Sequence, residues 1–423
     1  MRQKQKLVSI LGIILIGYIV FAIYAYIVQK VIKLPYPHGT FLFNSIDQYM
    51  DFFNVNFMVH ERRPYVDYYS SYPPFALLLA WPFSLMADYA RYQYPPLEIV
   101  GTTAGRVSFC VFIGIFTCAM GWMIYRFLKR SGMIRHTLVR IIVSVCLIIT
   151  APYVFMVDRG NYLLVTIVCC LVFAYYYNIN ETISAIFLGI AIALKIYPLF
   201  LFLLLFIDRK WKSMGIATAV AGALSIVGLL FLDGGVWQNV REFGSALLSF
   251  GGGNGTEFVN VYYCVGLTSL LRLPFMIQNA GKVPENVPVM LIYLIIGTAL
   301  TLWSVWSLWK ETRYSRKMLI LMALMVFLTP NSYLYNLMYL LPAVILYIVE
   351  EKSCSNWIDR GYAVMLGLLM IPKAYYYFEP LQYMISVQPI IDGCLLLAII
   401  LFYNIFDRES SRREEKCNYT CIS

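Results

Sequence analysis

Long apolar runs broken by short polar intervals set the pattern of this chain. Segments 7–28 and 288–309 each hold about 20 mostly apolar residues, enough for a helix to cross a hydrocarbon core of about 30 Å. The pattern predicts crossings near 7–28, 105–127, 138–156, 161–177, 183–194, 197–206, 214–232, 287–309, 317–330, 335–349, 362–377 and 388–406. That makes about 12, several of them short. Segment 75–87 is too short to span and is expected as a re-entrant or interfacial helix. The expected fold is therefore an all-α polytopic transmembrane helical bundle, one membrane domain over 1–423. It has a first outer loop at 29–104, a second at 233–286 and a cytoplasmic tail at 407–423.

One apolar stretch decides the count. Residues 183–206 could form a single span, but that would put Arg209, Lys210 and Lys212 on the outer side. Proline lacks an N–H and biases its predecessor away from the helical region, so a break at Lys195-Ile-Tyr-Pro198 yields two short arms. Such a break is tolerated at membrane depth where it lines a protein cavity. With both termini cytoplasmic, 21 of the 33 Lys and Arg lie at cytoplasmic ends and loops, as the positive-inside rule asks.

Composition agrees with the pattern. Hydrophobic residues make up 60% and charged residues 13% of the chain, which excludes an ordinary soluble protein. The first apolar run lacks a small-residue cleavage site and reads as a retained helix. The net charge of +10 comes from residues flanking apolar segments, so it speaks for topology and not for a nucleic-acid partner. Most cysteines lie within apolar runs, Cys169 and Cys170 point to different helix faces, and no spacing suggests a metal or other cofactor.

The polar residues gather on the outer side. Asp47 and Asp51, four residues apart, would share one face of a helix. Either could act as general base on a sugar hydroxyl, or simply sit as an acid at a helix N-terminus. Arg62, Arg63 and Lys195 are candidate phosphate binders. Lys195 interrupts an apolar run, which marks a functional position unless its ammonium snorkels to the interface. In Asp158-Arg159-Gly160-Asn161, Arg159 either closes a tight turn as a local ion pair or points into the cavity. Tyr68, Tyr69, Tyr72, Tyr333, Tyr335 and Tyr339 can stack on sugars or form an interfacial belt. The run Gly251-Gly-Gly-Asn-Gly255 suits a mobile lid, and Asn254-Gly-Thr256 matches a glycosylation sequon.

In order and approximate spacing, several short motifs resemble glycosyltransferase family 87, a group of GT-C fold membrane enzymes. These are Asp47-Gln-Tyr-Met-Asp51-Phe-Phe-Asn54, Pro64-Tyr65, Tyr72-Pro-Pro74, Pro82, Gly160-Asn161, Gly189-Ile-Ala-Ile-Ala-Leu-Lys195-Ile-Tyr-Pro198 and Pro330-Asn-Ser332-Tyr333 through Leu340-Leu341-Pro342. Together they run from Asp47 to Pro342. The resemblance implies an acidic residue of the first outer loop, Asp47 or Asp51, as catalytic or acceptor-binding, and Lys195 near the donor phosphate. Family members often carry His before the Leu-Leu-Pro, where this chain has Tyr335 and Asn336.

The expected activity is transfer of a hexose, mannose by the resemblance, from a polyprenyl-phosphate-linked sugar donor to a glycan or glycolipid acceptor. The setting is the outer face of a bacterial cell membrane, with membrane lipids as partners. Asp47 or Asp51 would be catalytic; Lys195, Arg62, Arg63 and Arg159 would bind donor phosphate; and Tyr72, Asn161, Tyr333, Tyr335 and Asn336 would bind substrate. The alternative is a lipid-linked-sugar flippase or other transporter. Transporters commonly show paired repeats and polar residues along a whole path, whereas here the polar groups collect on one side.

Overall fold

The computed structural model describes residues 3–34, 48–252, 263–279, 283–284, 287–350, 356–373, 377–378, 385–386 and 388–407. Asp47, most of the glycine-rich run and its sequon, and nearly all of the tail lie outside the described residues. Apart from a two-residue antiparallel pairing of Tyr377–Phe378 with Ile385–Ser386, the described regular structure is helical. Five helices are long and apolar enough to cross a membrane: Gln3–Val31, Thr103–Arg130, Trp211–Phe231, Val289–Leu308 and Gln388–Asp407. Thr137–Ile148 and Ala151–Arg159, bent by 67° at their junction, pass the same test together. The protein is an all-α, multi-pass membrane bundle.

The remaining expected crossings fall on shorter helices, among them Leu163–Tyr176, Glu181–Leu194 and Leu334–Val349. These short helices sit at the centre. Leu163–Tyr176, Tyr314–Leu328 and Leu341–Val349 are buried on nearly every face, which explains why their sequences are apolar all round. The long helices lie outside them: only 17% of the apolar window of Trp211–Phe231 is buried, so most of it is left for lipid.

The break at Lys195 is where the proline places it. The helix Glu181–Leu194 stops, Lys195 is extended (φ −149°, ψ 140°), and a 3-10 turn Tyr197–Leu201 leads into Phe202–Ile207. The two arms run antiparallel, because Lys210 just past the second pairs with Glu181 at the start of the first, at 2.9 Å. Gly189 allows the first arm to touch Trp211–Phe231: a Cβ there would stand 2.6 Å from the Ala217 carbonyl oxygen. The crossing expected at 362–377 is instead the helix Asn356–Leu369. It ends at Pro372-Lys373, where the Lys373 ammonium donates to the Leu368 and Ile371 carbonyls. Segment 75–87 forms the helix Pro74–Ser84, packed against Met50–His60, Glu181–Leu194 and Trp211–Phe231.

The two ends of the bundle differ. At one end, Lys6, Arg313 and Arg316 meet Glu311, Asp359 and Asp407, all buried. Arg316 bridges Asp359 at 2.9 Å and Asp407 at 2.8 Å; Arg313 bridges Asp407 at 3.0 Å and Glu311 at 2.7 Å. Lys6 lies 3.9 Å from Asp359. The network ties the first helix to those that begin at Tyr314 and Asn356 and to the end of the last. Lys317, paired with Asp208, extends the same end. This is the basic end, and the chain's first and last described helices meet there. The opposite end carries Asp51, Arg159 and Lys195 and is termed the site end.

Because breaking a buried pair strands a charge, Arg316→Met is expected to destabilise the fold by about 3–5 kcal/mol. It should lower the melting temperature in detergent clearly. Arg63→Met removes only an exposed pair with Asp67, worth less than about 1 kcal/mol, and should leave the transition in place.

Candidate active site

The site is assembled from helix ends. The helix Met50–His60 starts after Tyr49, which is left-handed (φ 62°). Asp47, the other acid, lies outside the described residues. Asp51 lies in the first turn of the helix. Its carboxylate accepts from Asn161 Nδ2 at 2.7 Å and lies 3.6 Å from Arg159 Nη2. The 2.7 Å bond fixes the carboxylate's direction, whereas a partly exposed charge pair at 3.6 Å contributes little by itself.

Asn161 and Arg159 are set by the turn between two helices. Gly160 is left-handed (φ +66°), and the Gly160 and Asn161 N–H groups return to the Val157 and Met156 carbonyls, a glycine-type helix end. The packing leaves no room for a side chain: a Cβ on Gly160 would stand 2.8 Å from Phe52 Cβ and 3.0 Å from the Tyr49 carbonyl oxygen. Asn161 Oδ1 accepts from the Leu163 N–H, which locks the amide so that its Nδ2 serves Asp51 and, at 3.3 Å, the Tyr72 hydroxyl. Of the two readings of the turn, Arg159 pairs across to Asp51 and faces the cavity.

Lys195 approaches from the broken arm. Its ammonium lies 4.0 Å from the centroid of the Tyr72 ring, a cation–π contact. Among the described residues it has no hydrogen bond and no ion pair. Tyr72 is itself anchored, its carbonyl accepting from the buried Tyr65 hydroxyl at 2.9 Å.

Asp51, Tyr72, Arg159 and Lys195 line one cavity of about 1110 Å³, and Asn161, expected to bind substrate, is buried behind them and outside its lining. One part is polar, with Asp51, Arg159, Lys195, Tyr72 and Asn331. A second is an aromatic wall in which Tyr263, Phe155, Tyr335 and Tyr333 follow one another in near-parallel steps, with centroids 6.3, 5.8 and 5.5 Å apart. The third is an apolar channel past Leu199, Leu203, Leu294 and Leu302. Leu199, Leu294 and Leu302 are also exposed on the outside of the bundle, so the channel reaches the surface where lipid lies. A wet polar end continuous with an apolar channel suits an amphiphilic molecule.

Residues 69–330, more than half of the chain, match glycosyltransferase family 87. The chain belongs to that family. No curated protein matches it. As a family 87 member the protein is a membrane glycosyltransferase, and the cavity is its candidate active site. The matched region takes in the lining residues Tyr72, Arg159 and Lys195 and the buried Asn161, while Asp51, Tyr333 and Tyr335 reach the same cavity from outside that region.

Not every expected residue arrives there. Arg62 lies over the Phe231 ring at 5.0 Å and Arg63 pairs with Asp67, both away from the cavity lining. Asn336 is buried behind the wall, its amide toward Ser332. Tyr339 is wholly buried and Tyr69 is 72% exposed, so neither lines the cavity. Sequence reasoning missed Phe155, Tyr263 and Tyr293, which carry no local signal. Tyr197, beside Pro198, was within reach of the motif but was read only as part of the break.

The glycine turn yields a controlled test. Gly160→Ala is expected to lower transfer about 10- to 100-fold by displacing Arg159 and Asn161. Gly132→Ala carries the same left-handed backbone (φ +66°), with open space around it at the basic end, and should leave turnover unchanged.

Proposed function

We propose that the protein transfers a hexose, mannose by its family resemblance, from a polyprenyl-phosphate carrier to a glycan or glycolipid acceptor. The reaction takes place at the outer face of a cell membrane, with both chain termini cytoplasmic. The observation that carries the reading is the ammonium of Lys195. It is a cation without a carboxylate partner among the described residues, set where the polar part of the cavity meets the apolar channel. A lipid phosphate has the charge to neutralise it and the tail to fill the channel. The concentration of Lys and Arg at the opposite end supports the outward orientation.

In this scheme the acceptor hydroxyl oxygen attacks the anomeric carbon. Its proton passes to the Asp51 carboxylate, held in direction by Asn161. The bond from the anomeric carbon to the phosphate oxygen breaks, and the electron pair stays on the lipid phosphate, where Lys195 and Arg159 stabilise the added charge. A single in-line displacement inverts the anomeric configuration. The wall of Tyr263, Phe155, Tyr335 and Tyr333 offers flat apolar faces for sugar rings. Arg62 and Arg63 have no part in this scheme, because they stand away from the cavity.

The test is sugar transfer by the purified protein in lipid with radiolabelled polyprenyl-phosphate hexoses. Asp51→Asn is expected to lower turnover by about 10²–10⁴, with Asp47→Asn measured alongside because it is the other acid of the loop. Lys195→Ala should reduce kcat/KM for the donor at least tenfold without unfolding the protein. Full activity in both acid variants would overturn the proposed base. Protein-dependent movement of lipid-linked sugar across the bilayer without transfer would replace the transferase reading with a flippase.

A further inference from the structure

The helix Val236–Gly252 lies at the site end, directly after the membrane helix Trp211–Phe231 and the turn Asp233-Gly234-Gly235. Its surface divides three ways. The protein-facing side carries Asn239, Ala246 and Phe243: Asn239 donates to the Asp233 carbonyl and Phe243 rests on the Tyr65 ring at 5.2 Å. Leu247, half-buried, stands at the edge where this side meets the apolar one, and lines the cavity. At about 100° per residue, Val236, Trp237, Val240 and Leu248 fall within roughly a third of the circumference. All four are exposed, Trp237 by 82% and Leu248 by 80%. Arg241, Ser245 and Gln238 occupy the remaining, polar side and are exposed too.

An exposed apolar stripe beside an exposed polar stripe is the pattern of a helix lying in a membrane interface. Continuity with the neighbouring membrane surface says what covers it. Ile226, Val227 and Leu230 of the preceding membrane helix are exposed by 50% or more, and the exposed Val236 and Trp237 open the next helix directly after the turn that ends it. Trp81 stands against Phe231 at the same level, with Arg62 over that ring. Tryptophan and arginine side chains at the end of a membrane helix mark the headgroup region.

We propose that Val236–Gly252 is an in-plane membrane helix. Val236, Trp237, Val240 and Leu248 rest in the boundary between acyl chains and headgroups on the site side, and Arg241 and Ser245 face water. Leu247 makes the helix the rim of the cavity, so the depth of the helix in the leaflet sets the level at which the cavity meets lipid. This inference needs only the membrane bundle and stands whether or not the donor is a polyprenyl phosphate.

The test is tryptophan fluorescence of the full chain in phosphatidylcholine bilayers, comparing wild type with Trp237→Phe so that the difference spectrum isolates Trp237. Blue-shifted emission, quenched several-fold more by lipid brominated near the glycerol than by aqueous iodide, is the expected result. Solvent-like emission quenched by iodide would overturn the proposal, as would shielding from both quenchers, which would point to a second copy of the chain over the stripe. In the Trp237→Phe background, Leu248→Trp should reproduce the lipid quenching and Ser245→Trp the iodide quenching. Identical behaviour at those two positions would also overturn it. None of these readouts depends on turnover, so they succeed or fail separately from the proposed reaction.

Discussion

Hydrocarbon cannot hydrogen-bond a peptide group, and that constraint governs where this chain can stop being helical. Four interruptions among the described residues are repaired by protein. At Thr150 the next N–H, that of Ala151, bonds to the Met370 carbonyl; at Gly160-Asn161 the N–H groups return to the preceding turn; and at Lys195 the N–H still reaches Ala191. The break after Leu328 is closed by pairing with another segment: the Val265 N–H reaches the Ser332 carbonyl and the Leu334 N–H that of Tyr263. Three of these breaks border the same cavity and supply Arg159, Lys195, Tyr333 and Tyr335. In a bundle whose interior is otherwise apolar, helix ends are where polar side chains can gather without stranding backbone groups, and the active site is their meeting point.

The two ends of the bundle handle charge in opposite ways. At the basic end, Lys6, Arg313 and Arg316 face an equal number of carboxylates, each pair in contact. Such closure limits the cost of burying charge, since an ion removed from water must be met by close partners. Lys373 and Asp392, away from that network, are likewise a buried matched pair at 2.9 Å, but among the described residues Lys195 at the site end meets a ring face and no ion-pair partner. A cation–π contact offsets part of the lost hydration of an ammonium, and the remainder is available to an anion. The buried charges of the basic end are thus matched within the protein, whereas Lys195 stays open to a ligand that completes the match.

Much of the fold was legible because bilayer crossing imposes long apolar runs, and the Lys195 break was legible because Pro198 cannot donate an N–H. The short central helices blurred the count, since an apolar run with no amphipathic face gives no register and does not distinguish a full crossing from a buried arm. In the site, Asp51, Arg159 and Lys195 stood out as charges among apolar residues. Arg62 and Arg63 stood out for the same reason, but proximity in sequence misled. The helix Met50–His60 has 11 residues, about 16 Å at 1.5 Å per residue, so Asp51 and Arg62 lie at its opposite ends. Of the aromatic wall, Tyr333 and Tyr335 stood out in the turn before Leu340-Leu341-Pro342, but Phe155 and Tyr263 come from distant segments, and in a chain with 34 tyrosines and 27 phenylalanines no composition signal separates them from the rest.

The acid and the cation are joined through two side chains, Tyr72 and Asn161. The Tyr72 ring carries Lys195 on its face, while its hydroxyl meets the Asn161 amide that holds Asp51. Tyr65, from the Pro64-Tyr65 motif, fixes the Tyr72 carbonyl from beneath. The separation of Asp51 and Lys195 is therefore set by the Tyr72 ring together with the locked Asn161 amide, and not by two independent loops. A motif that in sequence reads as a tyrosine before two prolines has a mechanical reason in the fold. Pro73 and Pro74 start the helix Pro74–Ser84 immediately behind it, so the backbone on both sides of Tyr72 is held. Preorganisation of this kind keeps two charged groups at a working distance before any substrate arrives to hold them there.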